Sequence, residues 1–181
     1  MDDSQVTWIL DLANTRHGPA ANLDERLLTA DEHDHLSDPA AALAYLAGRR
    51  TPVPAEPPTS EQLASLRELR DAARSMVDGP PAALTDRLGR MADASTYRFA
   101  PDGTLVPTAT GWDALAATAL VGLFELVAAR GRLGTCANPD CGWLFIDESR
   151  NHSRVWCDMS SCGSRAKMTR YRRRRSEPAP A

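Results

Sequence analysis

The first 135 residues contain no cysteine, and only one of the 21 basic residues, Lys167, is a lysine. Without cysteines, most of the chain must fold on an apolar core rather than on a disulfide framework. The shortage of lysine points to arginine-rich codon usage, so arginine identity by itself carries less meaning than usual. There is no Gly-rich phosphate loop, no convincing nucleophile–base pair and no internal repeat. The four histidines, His17, His33, His35 and His152, lie in no recognisable catalytic context. Together these absences argue against an enzyme. No apolar run comes near the roughly 18 residues that a bilayer span requires. The acidic start Met1-Asp2-Asp3-Ser4, followed by an apolar stretch interrupted at Thr7 and Asp11, does not resemble a signal peptide. We therefore expect a cytoplasmic protein with no membrane partner.

All the cysteines sit at the other end, as two matched pairs, Cys136-x4-Cys141 and Cys157-x4-Cys162. Four thiolates around one ion match the tetrahedral, sulfur-rich preference of zinc, and such closed sites are structural rather than catalytic. Two disulfides or four free buried thiols are the alternatives. A reducing compartment disfavours the first. The turn-forming stretches Asn138-Pro139-Asp140 and Asp158-Met159-Ser160-Ser161 disfavour the second. With four thiolates available, His152 reads as a surface or phosphate-facing residue, and one structural Zn2+ is expected.

Charge is divided in the same way. Residues 1–135 hold 12 arginines against 19 acidic residues, a balance of −7, whereas residues 136–181 hold 9 basic and 5 acidic residues, a balance of +4. From Ser149 to Arg175 nine basic residues face only Asp158. A basic end on an acidic body points to an anionic partner for that end. Arg150, Arg154, Arg165, Lys167, Arg170, Arg172, Arg173, Arg174 and Arg175 are the candidate phosphate contacts, and Tyr171 is placed to stack on a base or to pack back on its own domain.

Between the termini the pattern is helical. Short helices are expected over Leu23–Thr29 and from Ser37-Asp38-Pro39 to Gly48, the latter with a cap and a proline at its first turn. Thr59-Ser-Glu-Gln62 is a capping box opening a helix to about Val77. A shorter helix covers 82–92. Thr96–Ala100 and Thr104–Thr108 form a β-hairpin across Pro101-Asp102-Gly103, with Pro107 on an edge strand. The longest helix runs from Trp112 to Arg130, with Leu115, Ala119, Leu120, Leu123, Phe124 and Val127 inward. Gly142–Ile146 suggests a strand, and Trp143 and Trp156 a small core around the metal. Gly163 should break the chain and Ser164 cap a final helix to about Arg175. Residues 176–181 read as a disordered tail. His33 and His35, at alternate positions on an expected helix, should diverge into a solvated face. Asp11, Asn14, Arg16 and His17 read as a helix end whose polar groups satisfy loose backbone. The alternative is a ligand pocket in which Asn14 and Arg16 hold a carboxylate or phosphate.

The run Cys136-Ala-Asn-Pro-Asp-Cys-Gly-Trp-Leu-Phe-Ile-Asp-Glu-Ser-Arg-Asn151, followed by Ser153-Arg154-Val-Trp156-Cys157 and Cys162-Gly163-Ser164-Arg165, resembles the CGNR zinc-finger family. Leu10-Asp11-Leu12-Ala13-Asn14-Thr15-Arg16 resembles the start of the ABATE-type domain that accompanies it. The resemblance implies that Cys136, Cys141, Cys157 and Cys162 bind zinc, and that the protein is a stress-induced bacterial transcription regulator. One departure is that Ser164 stands where the family signature has asparagine; an altered sequence preference would follow if that asparagine reads a base edge.

The expectation is a mainly α protein with a small β-hairpin (α+β). Residues 1–133 form a helical sensor or partner domain that takes a small-molecule or protein effector. Residues 134–175 form a treble-clef- or ribbon-like four-cysteine zinc finger with a basic helix that contacts DNA. RNA binding, or a protein-interaction module without nucleic acid, are the alternatives.

Overall fold

The computed structural model describes residues 3–18, 33–79 and 82–176. The expected helix at Leu23–Thr29 lies outside them, and so do residues 177–181 of the expected tail. Helix α1, Asp3–Ala13, puts Val6, Ile9 and Leu12 on one stripe and Trp8 beside them. Its partners are α3, Ser60–Ser75, and α5, Gly111–Ala128, and the three pack mutually as the centre of the molecule. Trp8 is fully buried, and its indole N–H donates to the Leu115 carbonyl at 2.8 Å, so the largest side chain in the core leaves no orphan donor. Gly122 of α5 lies against α1 so closely that a Cβ there would sit 2.4 Å from the Gln5 carbonyl oxygen.

The local signals are expressed as the chain chemistry dictates. Asp38 accepts from the Ala40 and Ala41 N–H groups and caps α2, Pro39–Leu46. Thr59 and Gln62 close the reciprocal capping box of α3. After α4, Ala82–Ala94, strands β3, Tyr97–Phe99, and β4, Leu105–Pro107, form the antiparallel hairpin, which the Gln5 side-chain amide holds to α1 by donating to Leu105 O.

Three expectations are corrected. Phe124 and Val127 face outward, 61% and 50% exposed, because α5 is apolar nearly all round and its contact stripe runs through Ala119, Leu120, Leu123 and Leu126 instead. By length and composition Gly111–Ala128 could cross a bilayer, contrary to the expectation of no such run; here it is the central core helix. Third, His33 and His35 do not lie on a helix. Strand β1, Arg16–His17, pairs with β2, His33–Asp34, and His35 N–H continues the ladder by donating to Thr15 O. On extended backbone, residues two apart share a face, so the histidines converge. The His17 ring lies 5.7 Å from His33 and 5.0 Å from His35, with His17 Nε2 and His35 Nε2 3.0 Å apart and His35 stacked on Tyr45 at 3.8 Å. Arg70, almost fully buried on α3, holds this segment through Asp34 at 2.5 Å.

Past a 3-10 turn at Arg130–Arg132, strands β5, Leu133–Thr135, and β6, Leu144–Ile146, pair antiparallel. Leu144 is buried in the same cluster as Trp8, Leu12 and Leu120, with Leu133 and Ile146 packed on it. The C-terminal part is therefore seated in the main core and does not hang from it.

Candidate metal centre and basic helix

Two loops bring the cysteines together. The first leaves β5 at Cys136, whose N–H donates to Trp143 O at 2.8 Å, and returns through Asn138, whose carboxamide oxygen accepts from Asp140 N–H and whose backbone oxygen accepts from Cys141 N–H. Gly142 has φ 68°, a left-handed conformation that glycine adopts without a Cβ clash and that lets the chain enter β6. The second loop is organised by two carboxylates. Asp147 accepts from Ser149 N–H and Arg154 N–H; hydrogen bonds from Ser149 and Arg154 hold its carboxyl below the ordinary value. Asp158 accepts from Ser161 N–H and caps a π-helical turn, Met159–Gly163, that carries Cys162.

The four sulfurs lie within 4.8 Å of one another, with Cys141–Cys157 and Cys157–Cys162 at 3.7 Å. A tetrahedron with metal–sulfur bonds of about 2.3 Å has sulfur–sulfur edges of about 3.8 Å, so the spacing fits an ion coordinated by all four. It does not fit disulfides, and all four cysteines are free. Packed side by side, the thiols compete for charge. Cys141 is drawn down to about 5, chiefly by the hydrogen bond from Cys157, whereas that same bond, with burial, pushes Cys157 up. A divalent cation resolves the competition by holding every sulfur as thiolate. Asn138 Nδ2 reaches Cys162 Sγ at 3.6 Å, a supporting donor to one ligand. Trp143 and Trp156 wall the cluster. His152 is an exposed turn residue outside it, with φ 48°.

Residues 7–137 match the ABATE family, described as "Putative stress-induced transcription regulator", and residues 132–175 match the CGNR zinc finger. The chain belongs to the ABATE family. Its C-terminal part is a CGNR zinc finger holding one structural zinc ion. No curated protein matches the chain, and neither matching family is an enzyme family. The two matched spans overlap through β5, the strand that belongs to the finger hairpin and also packs on the N-terminal core.

The ABATE chain continues from the metal straight into α6, Ser164–Ser176. Gly163, expected from the sequence to break the chain, instead lies inside the π-turn, where a Cβ would meet Met159 Sδ at 2.6 Å. Ser164 is likewise not the cap. It is already helical, and its hydroxyl donates to Met159 O at 3.3 Å, while Asp158 does the capping one turn earlier. Arg165 is half-buried, and Lys167, Arg170, Arg172, Arg174 and Arg175 are exposed. At about 100° per residue these basic positions surround the helix, so one duplex cannot meet them all. Arg165, Arg170 and Arg174 share one groove, of about 760 Å³, with the Ala137–Asp140 loop. Tyr171 is 55% exposed on α6, with Arg175 donating to its hydroxyl, rather than packed into the finger.

Two expected contact residues have other tasks. Arg154 donates to the Trp156, Cys157 and Ile146 carbonyls and lies over the Phe145 ring at 4.7 Å, so its fork is committed to holding the finger loop rather than offered to phosphate. Asn14 is the second. Its side-chain amide donates to Leu144 O at 3.1 Å and accepts from Leu144 N–H at 2.8 Å, pairing with β6 as a neighbouring strand would. Gly18 N–H adds a bond to Cys141 O. Asn14 therefore fastens the finger to the N-terminal core, satisfying backbone as a helix-end residue is expected to, but that of a distant strand. Arg16 is exposed on β1 and does not line the cavity beside Asn14; the cations there are Arg49, Arg50 and the loop-holding Arg154. Nothing in the sequence around Arg49-Arg50 marks them, because their significance depends on a surface contributed by the finger.

Proposed function

We propose that this protein is a DNA-binding transcription regulator, in which the zinc finger presents α6 to the phosphate backbone and the N-terminal domain responds to an effector. The observation that carries the reading is a helix with arginine on every side, joined to a zinc ligand without an intervening loop. A helix so densely charged repels itself, and an anionic polymer is the partner that relieves the repulsion. Arg150, Arg165, Lys167, Arg170 and Arg172 to Arg175 are the proposed contacts, with Ser164 and Arg165 nearest the metal. About five simultaneous phosphate contacts would give a slope of log K against log salt of roughly −4 to −5. Fluorescence anisotropy on promoter and random duplexes at several salt concentrations measures it. Replacing Arg172 to Arg175 by alanine should flatten the slope and weaken all sequences alike, since phosphate contacts position without specifying. Absence of binding to either duplex at low salt would remove the reading; preference for structured RNA in competition would redirect it.

A further inference from the structure

A cavity of about 540 Å³ opens between α1, the turn at Gly48–Arg50 and the finger strand β6. Its walls mix apolar side chains, Val6, Leu10, Phe145 and Ile146, with Trp143, two carboxylates, Asp11 and Glu148, and three arginines, Arg49, Arg50 and Arg154. Two of those polar groups are unanswered. Asp11 Oδ2 and Trp143 Nε1 are each buried without a hydrogen-bond partner among the described residues. One is an acceptor and the other a donor, they come from different parts of the chain, and they are not bonded to each other. Buried polar atoms are otherwise almost always satisfied, so two orphans of opposite kind on residues that line one cavity point to a small molecule that supplies both partners. Arg49 lies over the Tyr45 ring at 3.9 Å, and neither Arg49 nor Arg50 forms an ion pair among the described residues. Burial pushes the Asp11 carboxyl up more than the two arginines draw it down, consistent with cations that are near but not in contact.

We infer that this cavity is an effector site for a small amino- or hydroxy-carboxylate. Its carboxylate would meet Arg49, Arg50 and the Trp143 indole N–H, and its amino or hydroxyl group would donate to Asp11. Asn14, on the same wall, is already committed to Leu144 and takes no part. Because α1 supplies the acceptor and the finger supplies the donor, the ligand would bridge the two parts of the chain and change how firmly α6 is held. Cys157, a zinc ligand, also borders the cavity and extends that link to the metal.

The inference names the effector class within the function proposed above and rests on its sensing half, but its test contains no DNA. Failure to bind DNA leaves the site standing, and failure of the site leaves DNA binding standing. Full-length, zinc-loaded protein is screened by thermal shift with each of the common L-amino acids, L-lactate and L-malate at millimolar concentration, and positives are titrated calorimetrically. We expect at least one to stabilise the protein and its carboxamide to fail. Arg50→Ala, on an exposed residue outside the core, should weaken binding about tenfold, the worth of one charge-assisted hydrogen bond. Asp11→Asn should select against amino- relative to hydroxy-carboxylates. Arg98→Ala, exposed on strand β3 and away from the cavity, should leave the affinity unchanged. Absence of stabilisation by every probe, or binding that survives both Arg49→Ala and Arg50→Ala, would overturn the site.

Discussion

Changing Asn14 to alanine tests how the finger is attached. The substitution deletes a carboxamide that both donates to and accepts from the Leu144 peptide, at 3.1 and 2.8 Å. Leu144 is 3% exposed and Asn14 7%, so water cannot replace the lost partners without opening the interface. Each orphaned backbone group costs about 1–3 kcal/mol, which gives about 2–6 kcal/mol for the pair, against a total stability of about 5–15 kcal/mol for a domain of this kind. At about 2–4 °C per kcal/mol for a chain of this size, the melting temperature should fall by at least about 4 °C and by up to about 24 °C. The assay is circular dichroism of zinc-loaded protein, with urea unfolding for the free energy. Asn14→Asp sharpens it. That residue still accepts from Leu144 N–H but turns a second oxygen toward Leu144 O, so it should also destabilise at neutral pH although its volume is unchanged. A melting temperature for Asn14→Ala within a degree or so of the parent would refute the claim that this amide pair fastens the finger to the core.

Metal analysis should give one zinc per chain, and Cys157→Ser should lose it together with the α6 helix signal, since the cluster supplies nearly all the packing around Cys162. Gly122→Ala should destabilise by about 1–3 kcal/mol through overpacking, because the new methyl group meets the Gln5 carbonyl and pushes α1 from α5; no loss in urea unfolding would contradict that contact. Asp38→Ala should lower the melting temperature at neutral pH by uncapping α2. The Asp38 carboxyl is held below its ordinary value, chiefly by the Ala41 N–H, so its stabilisation is present above about pH 4 and disappears as pH falls through the lowered value. Parent and variant melting temperatures should converge in acid.

What can be read from the chain alone is whatever depends on neighbours in sequence. The capping box at Thr59–Gln62, the Asp38-Pro39 helix start, the 96–108 hairpin and the four cysteines are local devices, and each appears where its residues stand. The failures are tertiary. Phe124 and Val127 satisfy the helical period but face outward, because on a helix apolar all round the period does not select a side. His33 and His35 lie just short of a good helix start and take on its character in the sequence, whereas pairing with Arg16–His17 makes that segment extended. Arg154 reads as one more basic residue in a basic run; only the loop built on Asp147 shows that its guanidinium is turned inward onto carbonyls.

Asn14 is the most instructive of these, because its polar character is legible in the sequence and its partner is not. A helix-end asparagine is expected to satisfy nearby backbone, and it does satisfy backbone, but that of a strand 130 residues away. The consequence reaches function. If the finger were an independent appendage, an event in the N-terminal domain could change only its local concentration at DNA. With Leu144 in the shared core, Gly18 bonded to Cys141, and Asn14 paired to β6, the metal site and the N-terminal domain share one set of contacts. Anything that tightens or loosens that interface alters the stability of the scaffold that holds α6, and any partner of α6 whose affinity depends on that scaffold alters affinity at the interface in turn. A regulator built this way needs no hinge. In the proposed site a ligand's two ends would be held from different sides of the seam, by the unanswered acceptor of Asp11 and the donor of Trp143.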